Sequence, residues 1–203
     1  MMRDKLSFIG GAKQIAKSKS MEVFIMIRPA NWNDLEAIEN SYNEHFQYEL
    51  EHGAFTVFKK NVYPTRKDAE KAIQNNSLYV FTKENELYGS IIIDDIQPSE
   101  YENICWKMQC DDKEIMVIHL LMVRPSMSGN GVASSLIEYA VELAKQNSCK
   151  VLRLDTGSQN IPAVSLYRKM GFEIAAAASK KVGDVIAHDH HLFLEKIVRK
   201  HFA

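Results

Sequence analysis

Glu114 to Lys145 reads EIMVIHLLMVRPSMSGNGVASSLIEYAVELAK, and the order of chemistry along it decides the fold. Glu114 to Val123 is the longest β-type run in the chain, and Pro125 breaks it by removing a ladder donor. From about Gly131 to Lys145 the spacing turns helical, with Val132, Leu136, Ala140, Leu143 and Ala144 on one side. Between strand and helix lies a loop of small residues. A helix N-terminus leaves its first N–H groups unpaired and carries roughly half a unit of positive charge, so such a loop is suited to a phosphate or pyrophosphate. Small side chains at Gly129, Gly131, Ala133, Ser134 and Ser135 would let a phosphate reach those amides, and Ser128, Gly129, Asn130, Gly131, Val132, Ala133 and Ser134 are the candidate binding residues, although an ordinary strand-to-helix turn has the same composition.

Gly129-x-Gly131-x-x-Ser134 also approximates a dinucleotide fingerprint, with Asp155 about 20 residues later where a ribose-binding acid would stand. A nicotinamide-dinucleotide-binding protein is thus the rival reading. Against it, the third position is Ser, the motif lies past mid-chain, and one β-α-β unit surrounds it where a dinucleotide site needs repeated units.

Outward from this stretch, Val151 to Asp155 reads as a strand, Asn160 to Met170 as a helix, and Phe172 to Ala178 with His188 to Lys196 as a closing pair of strands. Upstream, Val23 to Arg28 is a short strand stopped by Pro29. Asn31 caps a helix carrying Leu35, Ile38, Tyr42 and Phe46 on one face, and Thr65-x-x-Asp68 is a capping box for a second helix. Leu78–Thr82 and Leu87–Asp94 form a hairpin around Lys83-Glu84-Asn85-Glu86, and residues 95–113 read as an irregular loop. The order β-α-α-β-β-β-α-β-α-β-β predicts an α+β fold with a mixed sheet: antiparallel for the most part, with a central β-α-β unit.

The chain has 203 residues with 46% hydrophobic and 25% charged content, which predicts one folded domain over 21–203 behind an N-terminal extension, residues 1–20, expected to be partly helical. A net charge of -1 excludes a strong overall field for nucleic acid or an anionic membrane. Cys105, Cys110 and Cys149 form no CxxC pair, and no apolar run approaches the roughly 20 residues of a membrane helix; a cytoplasmic protein is expected.

Two strings resemble the GCN5-related N-acetyltransferase (GNAT) superfamily. Its first signature, Gln/Arg-x-x-Gly-x-Gly/Ala after a strand, is similar to Ser128-Gly-Asn-Gly131-Val-Ala133, with Ser128 replacing the usual long polar side chain. Its second, Asn-x-x-Ala-x-x-Leu-Tyr-x-x-x-Gly-Phe, resembles Asn160-Ile-Pro-Ala163-Val-Ser-Leu166-Tyr167-Arg-Lys-Met-Gly171-Phe172 at every marked position. Ile27-Arg28-Pro29-Ala30 is similar to the usual start of the fold. Helix chemistry explains most of the second string: Asn160 is a good N-cap, Pro162 suits a first turn, and Ala163, Leu166, Tyr167 and Met170 form a stripe. Packing does not require the Tyr167 hydroxyl.

The resemblance implies an acyl-CoA N-acyltransferase fold and transfer of an acetyl group from acetyl-CoA to a primary amine by direct attack. The acceptor is a small molecule or a peptide amine. It further implies a pyrophosphate held on the glycine loop, donors from the backbone N–H groups of Leu121, Met122 and Val123, cofactor contact near Asn160, and Tyr167 as the acid for the leaving thiolate. His119 is the candidate base: strand alternation places it on one face with Val117 and Leu121, and a water relay to Glu114, Asp94 or Asp95 is the alternative. His188, His190 and His191 share a terminal strand without a ligand pattern that completes a metal site, so no metal is expected. With Tyr48, Phe55, Phe58 and Tyr63 they are candidates for the acceptor cleft or for plain packing. A non-catalytic CoA-binding member of the same fold remains an alternative, and homodimerisation is left open.

Overall fold

A computed structural model describes residues 25–198 and, before them, the backbone of two short strands, β1 (Ser7–Ile9) and β2 (Ala12–Gln14). These two pair as an antiparallel hairpin; the rest of the N-terminal extension, expected to be partly helical, lies outside the described residues. The two residues between them are Gly10 and Gly11, a strong hairpin signal in the sequence.

The other strands are β3 (Ile25–Pro29), β4 (Leu78–Lys83), β5 (Glu86–Asp94), β6 (Ile115–Val123), β7 (Val151–Gly157), β8 (Glu173–Val182) and β9 (Ile186–Ile197). They form one sheet in the order β3-β4-β5-β6-β7-β9-β8, parallel only between β6 and β7. The helices are α1 (Leu35–His52), α2 (Arg66–Gln74), α3 (Val132–Gln146) and α4 (Ile161–Lys169). The mixed-sheet α+β expectation and its element order from residue 25 onward match this architecture; Val23 and Phe24 of the first predicted strand lie outside the described residues.

Both predicted caps form, the first on a 3-10 turn, Trp32–Asp34, that runs into α1 rather than on α1 itself. At Asn31 the side chain accepts from Asn33 N–H and the Asp34 carboxylate accepts from Asn31 N–H at 2.8 Å, while Arg28 donates two hydrogen bonds to Asp34. Asp34 is thereby held below the ordinary carboxylate range, since the Arg28 and Asn31 bonds outweigh the opposing effect of burial. At Thr65, Asp68 closes the same reciprocal box ahead of α2. Helices α1 and α2 cover one face of the sheet, packing Leu35, Ile38, Tyr42, Ala69 and Ile73 on Val80, Leu120 and Met122. Helices α3 and α4 cover the other, where Leu136, Ile137, Ala140 and Tyr167 meet Ile91, Ile118, Leu152 and Leu154.

Residues 95–113 are not simply an exposed loop. Two short 3-10 turns, Ser99–Asn103 and Asp112–Glu114, frame a packed segment whose Tyr101, Ile104 and Trp106 are buried against Ile115, Val117, Val151 and Phe193.

Two irregularities position the site. The β5–β6 register passes from Ile93↔Ile118 to Ile92↔Leu120, so His119 is the extra residue of a β-bulge. The bulge resets the alternation. Val117 packs with the residue 95–113 segment, whereas Leu121 packs toward α3, on the opposite face. The expectation that Val117, His119 and Leu121 share one face is therefore incorrect, because strict period-2 spacing holds only in an unbroken ladder. Second, the parallel pairing of β6 with β7 ends at Ile118↔Leu154, while β6 continues along β5 and β7 continues along β9. The strands part beyond that point, and a gap opens in the sheet.

Candidate active site

A cavity of about 470 Å³ occupies this gap. Its walls include His119, Leu121, Met122, Val123, Ser128, Ala133, Asn160 and Tyr167, residues singled out from the sequence and drawn from β6, the glycine loop, α3 and α4. Apolar side chains dominate the wall, with a few polar groups converging on it.

The glycine loop follows from its backbone. Gly129 and Gly131 take φ of 79° and 74°, the left-handed region that favours glycine, and a Cβ at either would meet open space. The Asn130 side chain donates to the carbonyls of Met127 and Ser128 and braces the turn from inside. The first backbone bond of α3 runs from Ser135 N–H to Gly131 O, so the N–H groups of residues 129–134 find no acceptor among the described residues. Unpaired amides in a loop and the helix N-terminus that follows it have the donor chemistry that suits a phosphate or pyrophosphate. Val132 contributes only its amide: its side chain is buried beneath β5, close to Gly89, where a Cβ would lie 3.0 Å from Val132 Cγ1.

The gap-facing amides of β6 are set by the ladder. Arg124 N–H donates to Tyr88 O, and Met122 stands opposite Ser90. Antiparallel alternation then turns the N–H of Met122 toward β5 and those of Leu121 and Val123 into the gap. Of the three donors expected from the sequence, Met122 is thus paired within the sheet.

Tyr167 lies on α4 with its ring edge-on to Phe172, 5.8 Å between centroids, and the residue is 7% exposed. Its hydroxyl makes no hydrogen bond to another described residue. Burial, reinforced by the Asp155 charge, raises its pKa well above that of a free tyrosine and keeps the proton on oxygen at neutral pH. Asn160 Oδ1 caps α4 by accepting from Ala163 N–H at 3.3 Å, as expected, and the residue also borders the cavity.

His119 is half-buried and donates from Nε2 to Asp94 Oδ1 at 2.6 Å. The same carboxylate oxygen accepts from Ile96 N–H at 2.9 Å. Burial acts to raise the Asp94 pKa, but the His119 hydrogen bond and charge, with Ile96 and the Lys71 charge, hold it below the ordinary carboxylate range. Of the other two carboxylates named as alternatives, Glu114 is paired with Lys150 at 2.7 Å, and Asp95 is exposed and lines neither this cavity nor the one beside it.

Tyr48, Phe55 and Phe58 line the cavity, whereas Tyr63 lines a second cavity of about 290 Å³ that shares only His119 and Asp155 with the first. The terminal histidines do not reach the main cavity. Beside a register shift between Ala178 and Lys180, His188 meets buried His191, Nδ1 to Nδ1 at 2.8 Å, and its ring also lies edge-on to His190, 6.5 Å between centroids. No group of three or more metal-ligating side chains occurs among the described residues.

The sequence reading missed a polar cluster on the cavity wall. Buried Glu49 accepts from the N–H groups of Phe55 and Thr56 and from Thr56 Oγ1, and lies 3.5 Å from His45 Nε2. His45 and Glu49 are four residues apart on the apolar face of α1, and two titratable side chains on a core stripe were the available signal. Burial lowers the His45 pKa against the opposing charge of Glu49.

Asp155 tests the dinucleotide alternative. Its carboxylate is engaged by Tyr101 Oη at 2.9 Å, Lys180 Nζ at 3.2 Å and His191 Nε2 at 3.3 Å. With its oxygens occupied and a single parallel strand pair in the sheet, the site lacks both the free acid and the repeated units that a dinucleotide fold requires.

The sequence profile of the Acetyltransferase (GNAT) family matches residues 35–172. Streptothricin acetyltransferase of Escherichia coli is 30% identical over 134 residues, covering 64% of this chain and 68% of that protein. An uncharacterized N-acetyltransferase of Methanocaldococcus jannaschii is 32% identical over 68 residues, covering 34% of this chain and 30% of the relative's length. Among solved structures, a GNAT family acetyltransferase of Streptococcus agalactiae superposes with a TM-score of 0.73 at 20% identity, covering 87% of this chain and 97% of that one. The structure of yncA of Salmonella typhimurium with its cofactor acetyl-CoA superposes with a TM-score of 0.60 at 18% identity, covering 88% of this chain and 96% of that one.

Proposed function

The chain belongs to the GNAT acetyltransferase family, and from that premise we propose that it transfers an acetyl group from acetyl-CoA to a primary amine by direct attack. The observation that carries this reading is the row of unpaired amides at residues 129–134, opening beside a sheet gap that also holds Tyr167. The loop fits an anionic cofactor by its donor chemistry. The N–H groups of Gly129 to Ser134 would hold a pyrophosphate, with Ser128 adding little, and Asn160 would lie along the arm that enters the gap.

Acetyl-CoA supplies an acyl thioester. The rest of the chemistry falls to this chain's residues: Leu121 and Val123 direct backbone N–H groups to where a thioester oxygen would gain charge, Tyr167 Oη holds a proton for the departing sulfur, and His119 takes the proton of the incoming ammonium. Preorganised donors in a half-closed apolar gap stabilise developing charge more than water does. The aromatic wall of Tyr48, Phe55 and Phe58 and the polar second cavity border the acceptor's approach.

The test is a screen of amines with acetyl-CoA, following thiol release. Antibiotic amines come first because of the streptothricin acetyltransferase relative, followed by amino acids and peptide N-termini. Acceptor-dependent release of free thiol is the expected result. Saturable binding of a nicotinamide dinucleotide with no response to acetyl-CoA would overturn the reading, and acetyl-CoA binding with no turnover across the screen would favour a non-catalytic member of the fold.

A further inference from the structure

Asp94 closes β5 and, beyond the water relay considered as an alternative to His119, has no role in the proposed chemistry. Three observations tie it to His119. The bulge that re-aims His119 lies opposite the end of β5, where Ile93 pairs with Ile118 and Asp94 with Val117. His119 Nε2 stands 2.6 Å from Asp94 Oδ1. The carboxylate cannot swing away freely, because the same oxygen accepts Ile96 N–H two residues on.

A carboxylate only accepts, so the nitrogen facing it must carry the hydrogen. We propose that Asp94 is a positioning residue that holds neutral His119 in the Nε2–H tautomer, leaving Nδ1, which has no partner among the described residues, as the nitrogen that receives the acceptor's proton. The second part rests on His119 being the base; the first does not. Without Asp94, imidazole in the cavity wall is free to place its hydrogen on either nitrogen and to turn about its χ angles, and each wrong state removes the lone pair from the site. The charged groups facing this pair are Lys71 from α2, whose charge acts on Asp94, and Asp155 from β7, which borders the same two cavities and is itself neutralised by Lys180 of β8. No other described cation competes for the Asp94 carboxylate at hydrogen-bond range.

The first measurement needs no variant. In full-length protein with 15N-labelled histidine, above pH ~8.5 where an ordinary imidazole is neutral, the His119 nitrogen shifts should report the Nε2–H form. The Nδ1–H form would overturn the proposal. Asp94→Asn should weaken the tautomer preference and lower kcat by about 10- to 100-fold, the worth of one hydrogen bond to a charged group, with KM for acetyl-CoA within about twofold. Asp94→Glu, which keeps the carboxylate, should recover part of the loss. In a His119→Ala background, Asp94→Asn should cost nothing further, since its effect passes through the imidazole. Wild-type kcat in His119→Ala would refute the base assignment while leaving the tautomer result standing. A full loss in His119→Ala with an unchanged tautomer and kcat in Asp94→Asn would refute Asp94 alone.

Discussion

Replacing Tyr167 by Phe separates catalysis from folding more cleanly than any other change in the cavity. The ring is packed edge-on to Phe172 and the residue is 7% exposed, so Phe keeps the same contacts. The hydroxyl has no hydrogen-bond partner among the described residues, so its removal leaves no buried group orphaned, and the stability change should stay within about 1 kcal/mol. Chemistry is a different matter. A positioned general acid contributes about 100- to 10,000-fold, equivalent to about 2.7–5.4 kcal/mol of barrier. Tyr167→Phe should therefore lower kcat by at least about 100-fold while calorimetry returns a CoA affinity within about twofold of wild type. Wild-type kcat with an intact fold would refute the acid role and move the protonation of the departing sulfur to another group or to water.

Three further changes follow from single geometric facts. Gly131→Ala places a side chain at φ 74°, which should cost about 1–2 kcal/mol and weaken CoA binding by distorting the amide cradle, measured by thermal melting and calorimetry. Gly89→Ala drives a Cβ to 2.7 Å from Met122 O and 3.0 Å from Val132 Cγ1, so a drop in stability of about 1–3 kcal/mol is expected in denaturant unfolding; an unchanged midpoint would show that β6 and α3 yield freely. Glu49→Ala strips the acceptor from the N–H groups of Phe55 and Thr56 and should raise the acceptor KM more than the acetyl-CoA KM, because the segment it releases forms the aromatic wall. The pH dependence of stability has a signed contribution from His191. Burial lowers its pKa to about 4 against the pull of Asp155, so between its unfolded value of about 6.5 and that folded value the unfolded chain binds more protons. The contribution is fully present above pH ~6.5 and is lost as pH falls toward 4, and His191→Asn should flatten the melting-temperature profile in that window.

What the sequence made legible is chemistry completed within a few residues. The Asn31 and Thr65 caps each close over four positions, and both form as read. The glycine loop was legible for the same reason: a strand end, two glycines and a helix start are contiguous, and the groups proposed to bind there are main-chain amides at a helix N-terminus. Tyr167 was singled out by the family resemblance carried by Asn160 to Phe172, since helix spacing alone accounts for its ring but not for its hydroxyl. His119 shows where such reading stops. Its residue type and strand were visible, but its direction depends on a bulge, and a bulge is a relation between two strands that neither strand's own pattern contains. Its partner Asp94 lies 25 residues away, and Glu49 acts on a turn that follows its own helix. The packed segment at residues 95–113 escaped because 3-10 turns carry no apolar period; Trp106 donates to Tyr101 O and stacks on Arg153 at 4.2 Å, contacts set by a fold already formed. The part of the site proposed to bind through backbone is thus written locally, whereas the Asp94–His119 pair and the turn held by Glu49 depend on groups brought together by the fold, so substitutions at Asp94 and Glu49 test the reading where the sequence alone is silent.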